Sequence, residues 1–399
     1  MPLHNSAARY GSAAKILHWL TAAGIMVMIP LGIIANGAPQ DGPDALAWKV
    51  QLFSAHKTLG IAVFAVAVLR IVWAMSQPKP APLHPDRMLE HFAAETVHKL
   101  LYGSLLLVPI SGWIEHAATS GFAPILWPLG QNLPFVPQSP ELAEIAAAMH
   151  IIFERVLVIS LILHIGGALK HAVWDRDQTL ARMLPGETHT LTVPKPHEPL
   201  GLKPVVAALV VWIGAIGIGA GLGLFAKHPA AAPAELAQVA SDWNVESGAI
   251  DLTVQQFGNA VSGQFSDWTA AIRYEPEGDD ADLGQVDVEI AIASVSLGSV
   301  TAQALGGDYF DAAKFPTARF TATLSRVDGV HQASGTLTLR GQDVPVAFPF
   351  ELTLDGNTAT MTGMVTLDRR AFGIGEAMQD AGQLGFAVDV ALSLTATRP

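Results

Sequence analysis

The chain has 399 residues, half of them hydrophobic, 15% charged and none cysteine, which excludes disulfides, iron–sulfur clusters and thiol-attached haem. Residues 1–240 hold 15 Lys+Arg against 14 Asp+Glu, whereas residues 241–399 hold 8 against 21, so the net charge of -12 belongs to the last part. Two unlike modules are implied, one nearly neutral and apolar and one acidic, and a nucleic-acid role is excluded because it needs a basic face.

Five segments, 16–35, 54–75, 97–118, 149–174 and 205–226, are long and apolar enough to cross a hydrocarbon core about 30 Å thick. The first does not read as a cleaved signal peptide. It carries His18 and Trp19 at its start and Pro30 inside, and no clear small-residue cleavage motif comes after it. Positive charge collects at the N-terminus (Arg9, Lys15), in the second loop (Lys79, Arg87, Lys99) and in the fourth (Lys170, Arg176, Arg182, Lys195, Lys203). The stretch Glu115 to Glu144 has no Lys or Arg, and the first loop has only Lys49. The positive-inside rule therefore predicts a cytoplasmic N-terminus and, after five crossings, residues 227–399 on the outer side.

The fourth segment holds the most informative pair, His150 and His164, fourteen residues apart. On a helix that spacing rises about 21 Å and makes nearly four turns, so both rings leave roughly one face at opposite membrane depths. Imidazole in lipid is costly without a partner. The predicted topology pairs His18 with His164 near the cytoplasmic face and His56 with His150 near the outer face, giving two bis-imidazole metal sites. His98 opens the third span on the cytoplasmic side and competes with His18. His84, His91, His116 and His171 lie at span ends or in loops and read as solvated groups. Arg70, Glu154 and Arg155 are charges in or near spans; they read either as haem-propionate partners or a proton path, or as side chains snorkelling to headgroups, with Arg70 favouring the propionate role.

The fifth span has no histidine and is rich in glycine (Gly217, Gly219, Gly221, Gly223), which reads as a packed tethering helix leading to an Ala/Pro-rich linker, 226–240. From Trp243 onward the period changes to two. Val286, Val288, Ile290 and Ile292 alternate with polar or small residues, as do Val344, Val346, Phe348 and Phe350, and Phe386 to Leu394. Such runs between Gly, Asp and Pro clusters predict an antiparallel sheet, and closure into a small barrel is the economical way to cover its edges. The interior is then filled by side chains or holds one apolar ligand, with Phe265, Trp268, Phe310, Phe315 and Phe320 as candidate lining residues.

The strings Lys15-Ile-Leu-His-Trp-Leu20, Ala55-His-Lys-Thr-Leu-Gly60, His98-Lys-Leu-Leu-Tyr102 with Pro109-Ile-Ser-Gly-Trp113, and Leu163-His164 continuing to Lys170-His-Ala-Val-Trp-Asp-Arg-Asp177 and Arg182-Met-Leu-Pro185 resemble the bacterial cytochrome b561 family over about residues 6–186. The resemblance implies four helices holding two b haems, with His18, His56, His150 and His164 as axial ligands of the haem iron. It also implies electron exchange with the quinone pool, and in some members oxidation of superoxide at the outer face. His98 matches a histidine common in that family, so its presence does not make it a ligand.

Trp243-Asn-Val245, Val261-Ser-Gly-Gln-Phe265, Asp308-Tyr-Phe310, Phe315-Pro-Thr-Ala-Arg-Phe320, Gly335-Thr-Leu-Thr-Leu-Arg-Gly341 with Pro345, and Arg370-Ala-Phe-Gly-Ile-Gly375 resemble the YceI-like family of periplasmic lipid-binding proteins. That resemblance implies a lipocalin-like barrel around an isoprenoid chain, such as that of ubiquinone. The family's usual early histidines are missing, since Glu246 to Gly263 contains none.

The predicted architecture is a membrane all-α four-helix haem bundle (1–186), a loop, fifth helix and linker (187–240), and an all-β lipocalin-like antiparallel barrel in the periplasm (241–399). The expected function is quinone-linked electron transfer across the bacterial inner membrane from a periplasmic donor, superoxide among the candidates. The alternative is an isoprenoid-binding or sensing module anchored by a redox-responsive cytochrome.

Overall fold

A computed structural model describes residues 2–39, 42–84, 86–119, 123–128, 131–185, 200–226, 236 and 241–398. The linker 226–240 and the loop carrying Lys195 therefore lie almost wholly outside the described residues. The chain divides into two compact units, residues 1–38, 51–118 and 125–226 in one and residues 39–50, 119–124 and 227–399 in the other.

The first unit is helical. Its elements are α1 (Ser12–Gly37), α2 (Pro43–Ser76) from residue 51 onward, α3 (Met88–Ala118), α4 (Pro140–Lys170) and α5 (Lys203–Gly221), and all five helices are long and apolar enough to cross a membrane. Most begin earlier than the apolar segments suggest, because polar turns extend a helix whose backbone bonds are satisfied internally. α4 starts at 140 because Ser139 caps it, its side chain accepting from Leu142 N–H at 3.3 Å, with Pro140 in the first turn where no N–H is needed. Large apolar residues such as Ile33, Leu69, Ile162 and Ile213 are exposed, as the outward faces of membrane helices must be.

Small residues set the helix approaches. A Cβ at Gly24 of α1 would lie 2.6 Å from a Val63 methyl of α2, and one at Gly103 of α3 would lie 2.0 Å from the Trp212 ring of α5. The fifth helix is thus keyed into the bundle and is more than a tether. Its glycines contribute less than their spacing predicts. Gly219 meets Ile152 of α4, where a Cβ would lie 2.6 Å from Cδ1, while a Cβ at Gly214, Gly217 or Gly221 would meet nothing within 4 Å among the described residues. The helix also ends at Gly221, short of the predicted 226.

The second unit is a ten-stranded sheet: β1 (Asn244–Gln256), β2 (Asn259–Phe265), β3 (Trp268–Asp279), β4 (Asp282–Ala291), β5 (Val295–Ser296), β6 (Thr317–Val327), β7 (Val330–Leu339), β8 (Gln342–Asp355), β9 (Thr358–Asp368) and β10 (Leu384–Thr397). Neighbours run in the order β3-β4-β6-β7-β8-β9-β10-β1-β2-β5, all antiparallel. Tight hairpins fix the register. Asp328-Gly329 (φ 50° and 82°) and Arg340-Gly341 (54° and 72°) have the paired positive φ of a type I′ turn, which matches the sheet's own twist.

The sheet curls into a lipocalin-like barrel whose seam is bridged and not fully laddered. The short β5 takes the outer edge of β2, so among the described residues β3 has no strand partner on that side. The start of β1 crosses the gap instead. Asp242 N–H donates to Ile272 O at 3.0 Å, Ile272 N–H donates to Ser241 Oγ at 2.9 Å, and Trp243 Nε1–H donates to Tyr274 O at 3.3 Å. One inward-facing core gathers Leu283, Ile272, Phe348 and Phe350, and a second lies around Val261, Ile292 and Phe310.

Candidate functional site

In the helical unit, one histidine cluster joins α1, α3 and α4. The centroids of His18 and His164 lie 6.1 Å apart with planes at 58°, and those of His98 and His164 lie 5.2 Å apart at 70°. Two axial imidazoles on one metal, with bonds of about 2 Å, put their centroids about 6 Å apart, which is the His18–His164 span. His98 packs edge-on against His164 at shorter range.

Arg70 of α2 is engaged within this cluster. Its Nη2 donates to His18 Nδ1 at 2.9 Å, and its guanidinium lies 5.1 Å from the Tyr102 ring centroid. Arginine is always a donor, so Nδ1 accepts and a neutral His18 carries its proton on Nε2. Binding a metal through Nε2 requires that proton to move to Nδ1 and Arg70 to release the ring. The propionate role read from the sequence thus meets a competitor, since the arginine already has a partner.

A second cluster joins α2 and α4. His56 and His150 lie within electrostatic range of each other. His150 Nδ1 is 2.9 Å from Val108 O and 3.5 Å from Ser111 Oγ. Only a protonated Nδ1 can bond that carbonyl, which leaves Nε2 with a free lone pair. His56 Nδ1 is buried and meets no partner at full hydrogen-bond geometry among the described residues, while the Met28 backbone lies beside the ring.

Two glycines make room for these rings. A Cβ at Gly32 of α1 would stand 2.9 Å from His56 Cε1, and one at Gly112 of α3 would stand 2.9 Å from His150 Nδ1. A buried imidazole on α2, a ring on α4 whose tautomer leaves Nε2 open, and side-chain-free walls beside both suit a metal held by histidines. The sequence reading missed both glycines. Gly112 lies inside the Pro109-Ile-Ser-Gly-Trp113 string, and a glycine within an apolar helix was the available signal.

Other polar residues depart from expectation. His116 is buried, 8% exposed, with Nδ1 3.2 Å from Lys57 Nζ and Nε2 3.1 Å from Gln131 Oε1. His84 and His171 are not solvated loop residues either, for both meet Asp177, at 3.0 and 2.7 Å. Glu154 and Arg155 pair with each other at 3.0 Å, and the arginine side chain is 68% exposed.

Within the β unit, two apolar cavities of about 200 and 170 Å³ share Ile250, Ile290, Leu337, Leu367 and Val390 in their walls. The first is lined almost wholly by hydrocarbon and aromatic side chains, including Trp268 and Phe320. Phe265 and Phe310 line the second, whose wall also carries Gln256, Gln303, Tyr309 and Arg369. A cavity this size with apolar walls stays dry and accepts apolar ligands. Phe315 is a correction, for it packs against Gly341 at the β7–β8 turn and is absent from both walls. Arg369 is structural. Its nitrogens donate to five backbone carbonyls at 2.5–3.1 Å, those of Gly385, Ile374, Gly375, Met378 and Leu384.

Residues 9–186 match the family model for prokaryotic cytochrome b561. Cytochrome b561 homolog 2 of Escherichia coli is 30% identical over 186 residues, 46% of this chain and 95% of that protein. The chain belongs to the cytochrome b561 family. As a cytochrome b561 it is a multi-pass membrane electron-transfer protein, and the family's cofactor is haem b, which the histidine chemistry above suits. Cytochrome b561 homolog 1 of the same organism is 26% identical over 179 residues, 44% of this chain and 97% of that protein. In this cytochrome b561, residues 242–396 additionally match the YceI-like domain model. Among solved structures, BcnA of Burkholderia cenocepacia is 26% identical, covering 39% of this chain and 100% of that chain with a TM-score of 0.36.

Proposed function

We propose that the protein is a dihaem b-type cytochrome that passes electrons between a periplasmic donor, superoxide among the candidates, and the quinone pool of the bacterial inner membrane. In this reading the N-terminus is cytoplasmic and the barrel periplasmic. The reading is supported by the placement of α4's two spaced histidines, His164 with its ring centroid 6.1 Å from that of His18 and His150 within electrostatic range of His56. These four residues are the proposed axial ligands. Haem b held there supplies a one-electron iron couple. The protein's own work is to fix tautomers, through Val108 O on His150, and to hold the rings in walls free of side chains at Gly32 and Gly112.

The barrel is proposed to hold an isoprenoid chain, that of ubiquinone or a related lipid, which the dry adjoining cavities support. Pyridine haemochrome analysis against a protein assay is expected to give two b haems per chain, and a value near one would reject the dihaem reading. Alkaline phosphatase fused after residue 240 is expected to be active, because that enzyme needs the oxidising compartment; an inactive fusion there, with an active one near residue 80, would reverse the topology.

A further inference from the structure

Where α4 ends, the chain makes a shape that helix propensity alone does not explain. Residues His171–Asp175 form a π-turn, and Arg176 adopts a left-handed conformation with φ 51°. Single π-turns and left-handed non-glycine residues both carry a conformational cost and gather at functional sites. Their effect here is local and definite. Asp177 N–H donates back to His171 O at 3.1 Å, and the Asp177 carboxylate is brought to the His171 ring nitrogen Nδ1.

There Asp177 Oδ2 lies 2.7 Å from His171 Nδ1, and on its other side 3.0 Å from His84 Nε2, which arrives from the segment between α2 and α3. The two rings are parallel within 5°, with centroids 6.3 Å apart. Asp177 Oδ1 is taken by Thr179 N–H at 2.7 Å, so Oδ2 is the oxygen facing the imidazoles. Asp175 Oδ2 stands 3.1 Å from the same His171 Nδ1. Lys170 and Arg87 neutralise the surrounding acids, Lys170 bonding Glu90 and, at 2.9 Å, Asp175, and Arg87 lying 3.1 Å from Asp175.

We propose that His84, His171 and Asp177 form a binding site for a zinc-class divalent cation. Three ligating atoms of the right kinds converge within 4.8 Å of one another. Tetrahedral ligands at about 2.0–2.1 Å from a metal are about 3.3 Å apart, so the two imidazole–carboxylate pairs, now 2.7 and 3.0 Å, need open by roughly half an ångström or less, and the two imidazole nitrogens already lie within 4.8 Å of each other. Two imidazoles with one carboxylate select a borderline ion such as zinc over calcium or magnesium, which prefer oxygen alone. The side chains keep 11–33% of their surface, so water or Asp175 can complete the coordination. Seven residues separate His171 from His164, two helical turns or about 10.5 Å. A cation here would brace the α2–α3 segment against the helix that carries two of the proposed haem ligands.

The full chain, purified in detergent without an affinity histidine tag and stripped with a chelator, is dialysed against micromolar zinc. Bound zinc is read by plasma mass spectrometry, and haem is measured on the same samples. The expected result is one tightly bound zinc per chain and a zinc-dependent rise in melting temperature that magnesium does not reproduce. Asp177→Asn and His84→Gln are each expected to weaken zinc binding at least about tenfold with haem content retained. Should both variants lose haem, the wild-type stoichiometry and melting shift decide alone. Absence of bound zinc on the wild type, or zinc binding by haem-replete variants equal to the wild type, overturns the site and leaves two imidazole N–H groups bonding one carboxylate; neither result bears on the haem ligands.

Discussion

Gly112→Ala tests the second histidine cluster by adding one methyl group. The new Cβ would stand 2.9 Å from His150 Nδ1 and 3.0 Å from Cε1, so the imidazole must retreat by roughly half an ångström to reach ordinary contact. That movement competes directly with the 2.9 Å bond from Nδ1 to Val108 O. Losing it costs about 1 kcal/mol, and overpacking costs about 1–3 kcal/mol more. Alanine returns about 1 kcal/mol through its helix propensity, leaving a net penalty of about 1–3 kcal/mol. At 1.4 kcal/mol per decade, haem affinity at this site should fall between roughly fivefold and a hundredfold. Haem per chain measured during detergent dilution is expected to drop toward half the wild-type value, with one site intact. Gly24→Ala is the control, because its Cβ would meet a Val63 methyl at 2.6 Å and no histidine. Equal haem retention by Gly112→Ala and the wild type, or equal loss in both variants, would refute the reasoning.

Among the first cluster's histidines, His164→Ala is expected to lose one haem or turn it high-spin, while His98→Ala keeps both; optical and electron-paramagnetic spectra of the purified variants separate these outcomes. Ala333 is buried in β7 and lines the larger cavity, so Ala333→Phe is expected to cut isoprenoid recovered in solvent extracts of the purified protein roughly tenfold, as read by mass spectrometry, without altering haem content. Acid should weaken the barrel through His331. Burial and then the nearby Arg326 hold this ring below the ordinary histidine range, against the smaller opposing pull of Asp280, while Tyr274 Oη lies 3.0 Å from its Nε2. Between the folded value and about 6.5 the unfolded chain binds more protons, so the stability contribution is complete above about 6.5 and is lost as pH falls through the folded value. Calorimetric melts of the barrel transition should show that slope, and His331→Gln should flatten it; an unchanged slope in the variant would assign it to other groups.

The sequence alone determined which segments are helices in lipid and which are strands, because hydrocarbon thickness and side-chain period act on consecutive residues. The five apolar runs and the alternation in 286–292 and 344–350 needed no partner to be read. The fourteen-residue spacing of His150 and His164 was legible for the same reason, since helical rise is a local constant. The tertiary structure decided every feature that depends on a neighbouring element. That His150 is held by Val108 O, that Gly32 and Gly112 abut imidazoles, and that Arg70 bonds His18 all require knowing which faces of four helices meet. The same holds for the barrel's bridged seam, where β5 takes the edge that β3 would need, and for Phe315, an aromatic whose surroundings place it on a turn and not in the cavity. Histidines at span ends look alike in a sequence. Only the packing distinguishes a buried His116 beside Lys57 from His84 and His171 converging on Asp177, because a side chain's chemistry is set by the atoms opposite it, and those come from far along the chain.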